Sequence, residues 1–460
     1  MTVVRRRRAS LWLEYAFIGG ILSGLAYSAW FLFKYHYLPQ PWFYEPWGTF
    51  MDWYSLVVWG HEPGAYDIAG TIYPPLSFII LRIFSKPSCY PQFESEWARD
   101  CDHIGIYALL GMVLVNAILT FLTFRKHDRE TYIPRAFALS FGFPMIFAFE
   151  RGNLLLFTYP AVLLGFGPLL RSARLRWFFG GVALNFKIYL IGAVFAPLLR
   201  RKWSQTEGML LFGAAVYIVT WLFLGEGSPS QIVRNVTTYV GGFGAGGFLD
   251  LWYAGSFIPA ISLLKGETFP ITTILDSNVV DILLIVVTGY LRTTQLLIVL
   301  AAVAAWLRPE AVPLHRMVFL AITLALSSSE AGGYTQLLVL IFVFMEPWRG
   351  VGRPIALLVA YLLCLPAEYV IFDIAPMVRT SWLWDGGARV ITQYGVGAAS
   401  LLRLVGNYLI IICLACVTLR DIWTDIRQQG WRGRWRYRDD APILPLVEHP
   451  IPAAATSNDS

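Results

Sequence analysis

Long apolar runs, separated by short basic stretches or longer acidic ones, set the pattern of this chain. A helix needs about 20 mostly apolar residues to cross a bilayer. Runs that read as crossings lie at 11–33, 104–124, 136–149, 154–170, 208–224, 295–307, 317–326, 334–345, 355–372 and 404–419. Every backbone polar group must be paired inside lipid, so such runs predict helices. The short alternating segments of a membrane β-barrel do not occur. The pattern therefore predicts an all-α, polytopic membrane protein with about ten crossings.

Three apolar stretches fit a different role. Residues 76–84 and 282–291 are too short to cross and predict helices lying along the membrane surface. The stretch 177–199 is interrupted by Asn185 and Lys187 and is basic on both flanks. A single crossing would put one basic flank outside, so the pattern favours a re-entrant pair of half-helices with Lys187 at the tip.

Composition agrees with this pattern. The 460 residues are 57% hydrophobic and 14% charged, against about 25% charged in soluble domains. The net charge of +6 does not point to nucleic acid, because its bases lie beside apolar runs: Arg5 to Arg8, Arg125–Lys126–Arg129, Arg171–Arg174–Arg176, Arg200–Arg201–Lys202 and Arg432–Arg434–Arg436–Arg438. The positive-inside rule then orients both termini to the cytoplasm and the long regions 34–103 and 225–292 to the outside of an inner (plasma) membrane. Residues 1–440 form one transmembrane domain in this reading. Residues 441–460, proline-rich and polar, form a disordered cytoplasmic tail.

Ionisable residues at membrane depth are costly and mark functional sites. The first outside region carries Asp52-Trp53-Tyr54, Tyr66-Asp67 and Tyr73-Pro74-Pro75-Leu76. A prolyl-proline before an apolar run is a stiff lead-in to a helix. Further on stand Glu150-Arg151-Gly152-Asn153, Asn185-Phe186-Lys187-Ile188-Tyr189 and the polar cluster Ser327-Ser328-Ser329-Glu330-Ala331-Gly332-Gly333-Tyr334-Thr335-Gln336. Asp67 reads as a turn or cap residue, and His61 equally as a surface residue or a substrate contact. Cys89 and Cys101 share the first outside region and are candidates for a disulfide in an oxidising compartment. Cys364, Cys413 and Cys416 read as buried or lipid-facing fillers. No cysteine spacing suggests zinc, and no metal or cofactor is expected. Asn235-Val236-Thr237 matches a glycosylation sequon, a pattern common by chance.

In their order along the chain, these motifs resemble the GT-C superfamily of glycosyltransferases. The closest likeness is to bacterial polyprenol-phosphate-mannose-dependent alpha-mannosyltransferases and related arabinofuranosyltransferases. The likeness is carried by the acidic residue after the first helix, the Tyr-Pro-Pro-Leu element, the Gly-Asn element after an outward helix, and the lysine-containing apolar segment with its basic exit. It covers the first half well and the second half by helix layout. It implies a polyprenyl-phosphate sugar as donor, a lipid-linked or polysaccharide acceptor, and transfer at the extracytoplasmic face by inverting single displacement. Asp52 is then the candidate base, since one carboxylate within reach of the acceptor hydroxyl suffices. Arg151 and Lys187 are candidate phosphate contacts, and Tyr54, Tyr73, Asn153, Glu330 and Tyr334 are candidate substrate contacts. The family's late outside loop tends to carry a histidine in a Ser-Pro-type motif. The 327–336 cluster has neither histidine nor proline, which leaves mannose itself open.

Two other functions compete. A polysaccharide polymerase or ligase would draw its key arginines from late loops, where Arg379 and Arg389 stand near Trp382, Trp384 and Asp385. A lipid-linked solute transporter would show related halves around a midplane site, and the sequence has no internal repeat.

Overall fold

The computed structural model describes residues 2–43, 45–90, 94–241, 254–267, 270–328, 331–383 and 387–431. The chain is mostly helical. Among the described residues, six segments are long and apolar enough to cross a membrane: Ser10–Tyr35, Ile104–His127, Tyr132–Arg151, Trp203–Leu224, Ser277–Leu307 and Leu402–Gln429. Five more helical segments are apolar but shorter: Leu155–Phe166, Ile188–Leu199, Leu314–Ser327, Gly333–Val343 and Gly352–Leu363.

Long and short helices occupy different places. The short ones supply the core: all eight residues of Gln336–Val343 are buried, as is most of Leu155–Phe166. Four of the six long ones, Ser10–Tyr35, Ile104–His127, Trp203–Leu224 and Ser277–Leu307, are mostly unburied and expose apolar side chains, such as Leu211, Leu222 and Phe223, or Ile285, Leu296 and Val303. Exposed apolar surface on this scale is unfavourable in water and costs nothing against lipid tails.

Two breaks have clear causes. Tyr132–Arg151 divides into Tyr132–Phe141 and Phe143–Arg151 at Gly142, with Pro144 opening the second helix. A Cβ on Gly142 would lie 2.2 Å from the Ala138 carbonyl and 2.8 Å from Cys364 Cβ, so only glycine allows this approach. The expected interruption within 177–199 separates Ala173–Leu184 from Ile191–Leu199, with Lys187 just before a 3-10 turn at Ile188–Leu190. Asn185 Nδ2 donates to the carbonyls of Gly181 and Gly213, both at 2.9 Å. Gly181 and Gly213 let the two helices touch backbone to backbone there.

Some expectations need correction. Residues 282–291 are not a separate surface helix; they continue into the 31-residue helix Ser277–Leu307. The crossing expected at 355–372 stops at Leu363, because Pro366 cannot continue a helix. The β-branched and aromatic residues beyond it form strand Val370–Asp373, antiparallel to Gly395–Gly397. A second hairpin pairs Met377–Ser381 with Ala388–Thr392, Met377 opposite Thr392. The protein is thus mostly helical, consistent with the all-α class expected, with two small two-stranded sheets added. The sequon asparagine is buried, its Nδ2 donating to the carbonyls of Tyr66 and Thr71. The expected 441–460 tail lies outside the described residues.

The end of the bundle near the start of Leu314–Ser327 is tied by buried ion pairs. Arg135 meets Glu14 at 3.0 Å. Arg316 reaches both Glu346 and Asp421, and Arg353 does the same.

Candidate functional site

Helix Phe143–Arg151 ends at Gly152, whose φ of +68° is the left-handed cap that glycine adopts freely. The Asn153 N–H then donates to the Ala148 carbonyl at 2.8 Å. A Cβ on Gly152 would sit 2.9 Å from Trp53 Cβ and 3.1 Å from Phe50 Cα. Glycine therefore serves both the turn and the close approach of the chain segment that carries Asp52.

That segment is itself strained. Phe50 has φ 64° and ψ 9°, which costs a non-glycine residue roughly 1–2 kcal/mol. Its N–H donates to the Glu150 carbonyl at 2.8 Å. Its ring packs edge-on against Phe149 and Trp382, with centroids 5.2 and 5.5 Å away. These contacts offset the strain. Helix Met51–His61 starts at this turn, with Asp52 in its first turn, where the helix dipole favours a carboxylate.

Asp52 is held from both sides. Oδ1 accepts from Arg151 Nη2 at 2.8 Å and Oδ2 accepts from Asn153 Nδ2 at 2.8 Å. Arg151 Nη1 donates to the Gly48 carbonyl at 2.8 Å, and the guanidinium carbon lies 3.7 Å from the centre of the Phe43 ring. The arginine and aspartate side chains keep 11% and 22% of their surface. This pair is shielded enough to matter, unlike an exposed one.

Lys187 approaches from the helix break. Its Nζ donates to Tyr73 Oη at 2.9 Å and lies 4.3 Å from the centre of that ring. Tyr73 precedes Pro74-Pro75, which opens helix Pro75–Ile83 as expected. The Tyr73 carbonyl accepts from Tyr66 Oη at 2.8 Å. Burial, with the Asp52 carboxylate adding to it, raises the Tyr73 phenol well above its ordinary range, so it stays protonated at neutral pH.

Asp52, Arg151, Tyr73, Lys187 and Tyr334 line one cavity of about 590 Å³, within the usual size of a small-molecule site. Its remaining walls are largely apolar, from Phe43, Ile72, Phe186, Ile188, Ile191 and Val236 among others. A carboxylate, an ammonium and hydroxyls thus line one largely apolar chamber.

Not every candidate is there. Tyr54 is fully buried and its Oη donates to the Asp102 carbonyl, so it braces the segment 34–103 and does not line the cavity. It lies two positions beyond Asp52, which turns it to another helix face. Asn153 acts through Asp52. Glu330 lies outside the described residues. Asp67 is exposed and meets Arg234 at 2.6 Å. His61 pairs with Ser85 Oγ at 2.9 Å and stacks on Tyr90. Cys89 and Cys101 form a disulfide with a Cα–Cα distance of 5.8 Å. Arg379, the late-loop candidate, meets Glu45 at 2.7 Å.

Ser328 and Thr335, from the polar cluster that the sequence brought forward, also line the cavity, and so does Tyr189, which sequence reasoning did not name as a contact. The Tyr189 hydroxyl is buried and lacks a hydrogen-bond partner among the described residues. Its place two residues after Lys187 was the available signal. Compared with protein families, with characterised proteins and with solved structures, the chain matches none.

Proposed function

We propose that this protein is a membrane glycosyltransferase, resembling the GT-C type, that moves a sugar from a polyprenyl-phosphate donor to a lipid-linked or polysaccharide acceptor. The convergence of Asp52, Arg151 and Lys187 on one cavity carries this reading. They come from three separate stretches of sequence.

The reaction suits those groups. The Asp52 carboxylate accepts the proton of the acceptor hydroxyl as its oxygen forms a bond to the sugar's anomeric carbon. The bond from that carbon to the phosphate oxygen breaks, and the electron pair leaves with the phosphate. One displacement inverts the anomeric centre. A phosphate leaving group requires no proton, only a cation to stabilise its growing charge. Lys187 fills that role, because Arg151 already binds Asp52 and the Gly48 carbonyl. Arg151 therefore orients the base rather than clamping phosphate. The apolar walls suit the first units of a polyprenyl chain.

In this reading the cavity faces the extracytoplasmic side of the inner membrane and both termini face the cytoplasm, an orientation the basic clusters favour. The Arg379–Glu45 pair ties the second hairpin to the first outside region, which gives no support to a polymerase or ligase built on that arginine. The test is transfer by the purified full-length protein from a panel of polyprenyl-phosphate sugars, with nucleotide sugars alongside. Transfer from a polyprenyl-phosphate donor alone is expected; transfer only from nucleotide sugars, or none with any donor, would overturn the reading.

A further inference from the structure

A second cavity, of about 440 Å³, lies between the Arg349–Gly350 turn and one face of helix Leu402–Gln429. That face presents Val417, Arg420, Asp421, Thr424, Asp425 and Gln428, the three-to-four spacing of a single helix side. The cavity is remote from Asp52. Helix Leu314–Ser327 runs from the buried ion pairs beside this cavity to the Ser328 wall of the first, a length of about 20 Å.

The charges here are unevenly matched. Asp421 accepts from Arg316 and Arg353. Asp425 accepts from Arg308. Both carboxylates of the lining are therefore already paired, Asp421 in part with Arg353, which lines the cavity too. Arg349 and Arg420 also line the cavity, yet neither guanidinium has a hydrogen bond or ion pair among the described residues. Two fork-shaped donors thus face the cavity without an acceptor. Val351 at the rim and Trp423 on the same helix are 67% and 56% exposed. A bare valine and an indole beside paired arginines describe the boundary between hydrocarbon and polar headgroups.

We propose that this cavity binds a phosphate group through Arg349 and Arg420, each guanidinium able to donate two hydrogen bonds to it. The phosphate comes from an anionic phospholipid headgroup or from a soluble phosphate, and the chemistry of recognition is the same for both.

The test uses the full-length protein with Arg349→Gln/Arg420→Gln, both exposed positions outside the core. Arg427→Gln is the control for loss of a nearby positive charge, since Arg427 packs on Trp423 and does not line the cavity. One arm reconstitutes each protein in nanodiscs of phosphatidylglycerol and phosphatidylcholine and counts retained phosphatidylglycerol by native mass spectrometry. The other titrates inorganic phosphate in neutral detergent. The double variant should retain at least tenfold less phosphatidylglycerol, or bind phosphate at least tenfold more weakly, while Arg427→Gln behaves as wild type. A loss confined to the first arm assigns a lipid source, and one confined to the second a soluble source. Unchanged binding in the double variant, an equal loss in Arg427→Gln, or no binding by the wild type in either arm would overturn the proposal.

Discussion

Asp52 and Arg151 meet at 2.8 Å across 99 positions of sequence. The pair exists because two unusual turns face each other. Gly152 turns the end of one helix back on itself, and Phe50 accepts a left-handed conformation to begin the other. The strain sits one residue pair away from the proposed base, in keeping with the tendency of strained backbone to gather at functional sites.

Gly152→Ala should lower stability by about 1–2 kcal/mol from the backbone conformation alone, and further because the new Cβ would meet the Phe50 backbone and Trp53. Thermal unfolding in detergent measures the loss. Transfer activity should fall more than stability does, since Asp52 moves with Phe50.

Lys187→Ala should weaken donor use by about tenfold or more, because a charge-assisted contact to phosphate contributes roughly 1.5–3 kcal/mol. Lys187→Arg should recover part of it. Tyr73→Phe removes only the hydroxyl that accepts from Lys187 and should have a smaller effect. Steady-state kinetics with varied donor separate the three.

Reduction of Cys89–Cys101, or the double change to alanine, should cost about 2–4 kcal/mol. The bridged segment includes helix Ser95–Cys101. Its Arg99 lies between the rings of Trp47 and Trp382 and donates to the carbonyls of Trp47 and Thr49. Those carbonyls flank Gly48, whose own carbonyl accepts from Arg151. Loosening the bridge should therefore lower transfer as well as melting temperature.

Acid should destabilise the region around His61. Burial, with Arg82 adding to it, holds this imidazole below its ordinary value of 6.5. The unfolded chain then binds the proton more readily than the folded one, so stability is full above about pH 6.5 and falls as pH drops below it. The melting temperature of His61→Gln should depend less on pH between 7.5 and 5.5 than that of the wild type.

Much of this was legible in the sequence. The run 104–124, the break at Asn185–Lys187 and the Pro-Pro lead-in to 76–84 all follow from local apolar pattern and proline chemistry, and the structure places elements there. What local pattern lacks is length in three dimensions. It could not say that 282–291 joins the next apolar run through Arg292 without a break. Nor could it tell an apolar helix end from the β-branched strand after Pro366. At the site, motif order brought forward Asp52, Arg151 and Lys187 but not their division of labour. That Arg151 serves Asp52, and that Tyr54 turns to Asp102, depends on side-chain directions set by contacts about 50 to 100 residues away.

In the proposed reaction the Asp52 carboxylate takes the acceptor's proton. The most direct measurement is the rate of sugar transfer by Asp52→Asn at saturating polyprenyl-phosphate donor, with donor binding followed in the same preparation. The amide keeps the size of the side chain and can still accept from Arg151. Transfer should fall about 10²–10⁴-fold with donor binding retained. Transfer at the wild-type rate would contradict this role for Asp52.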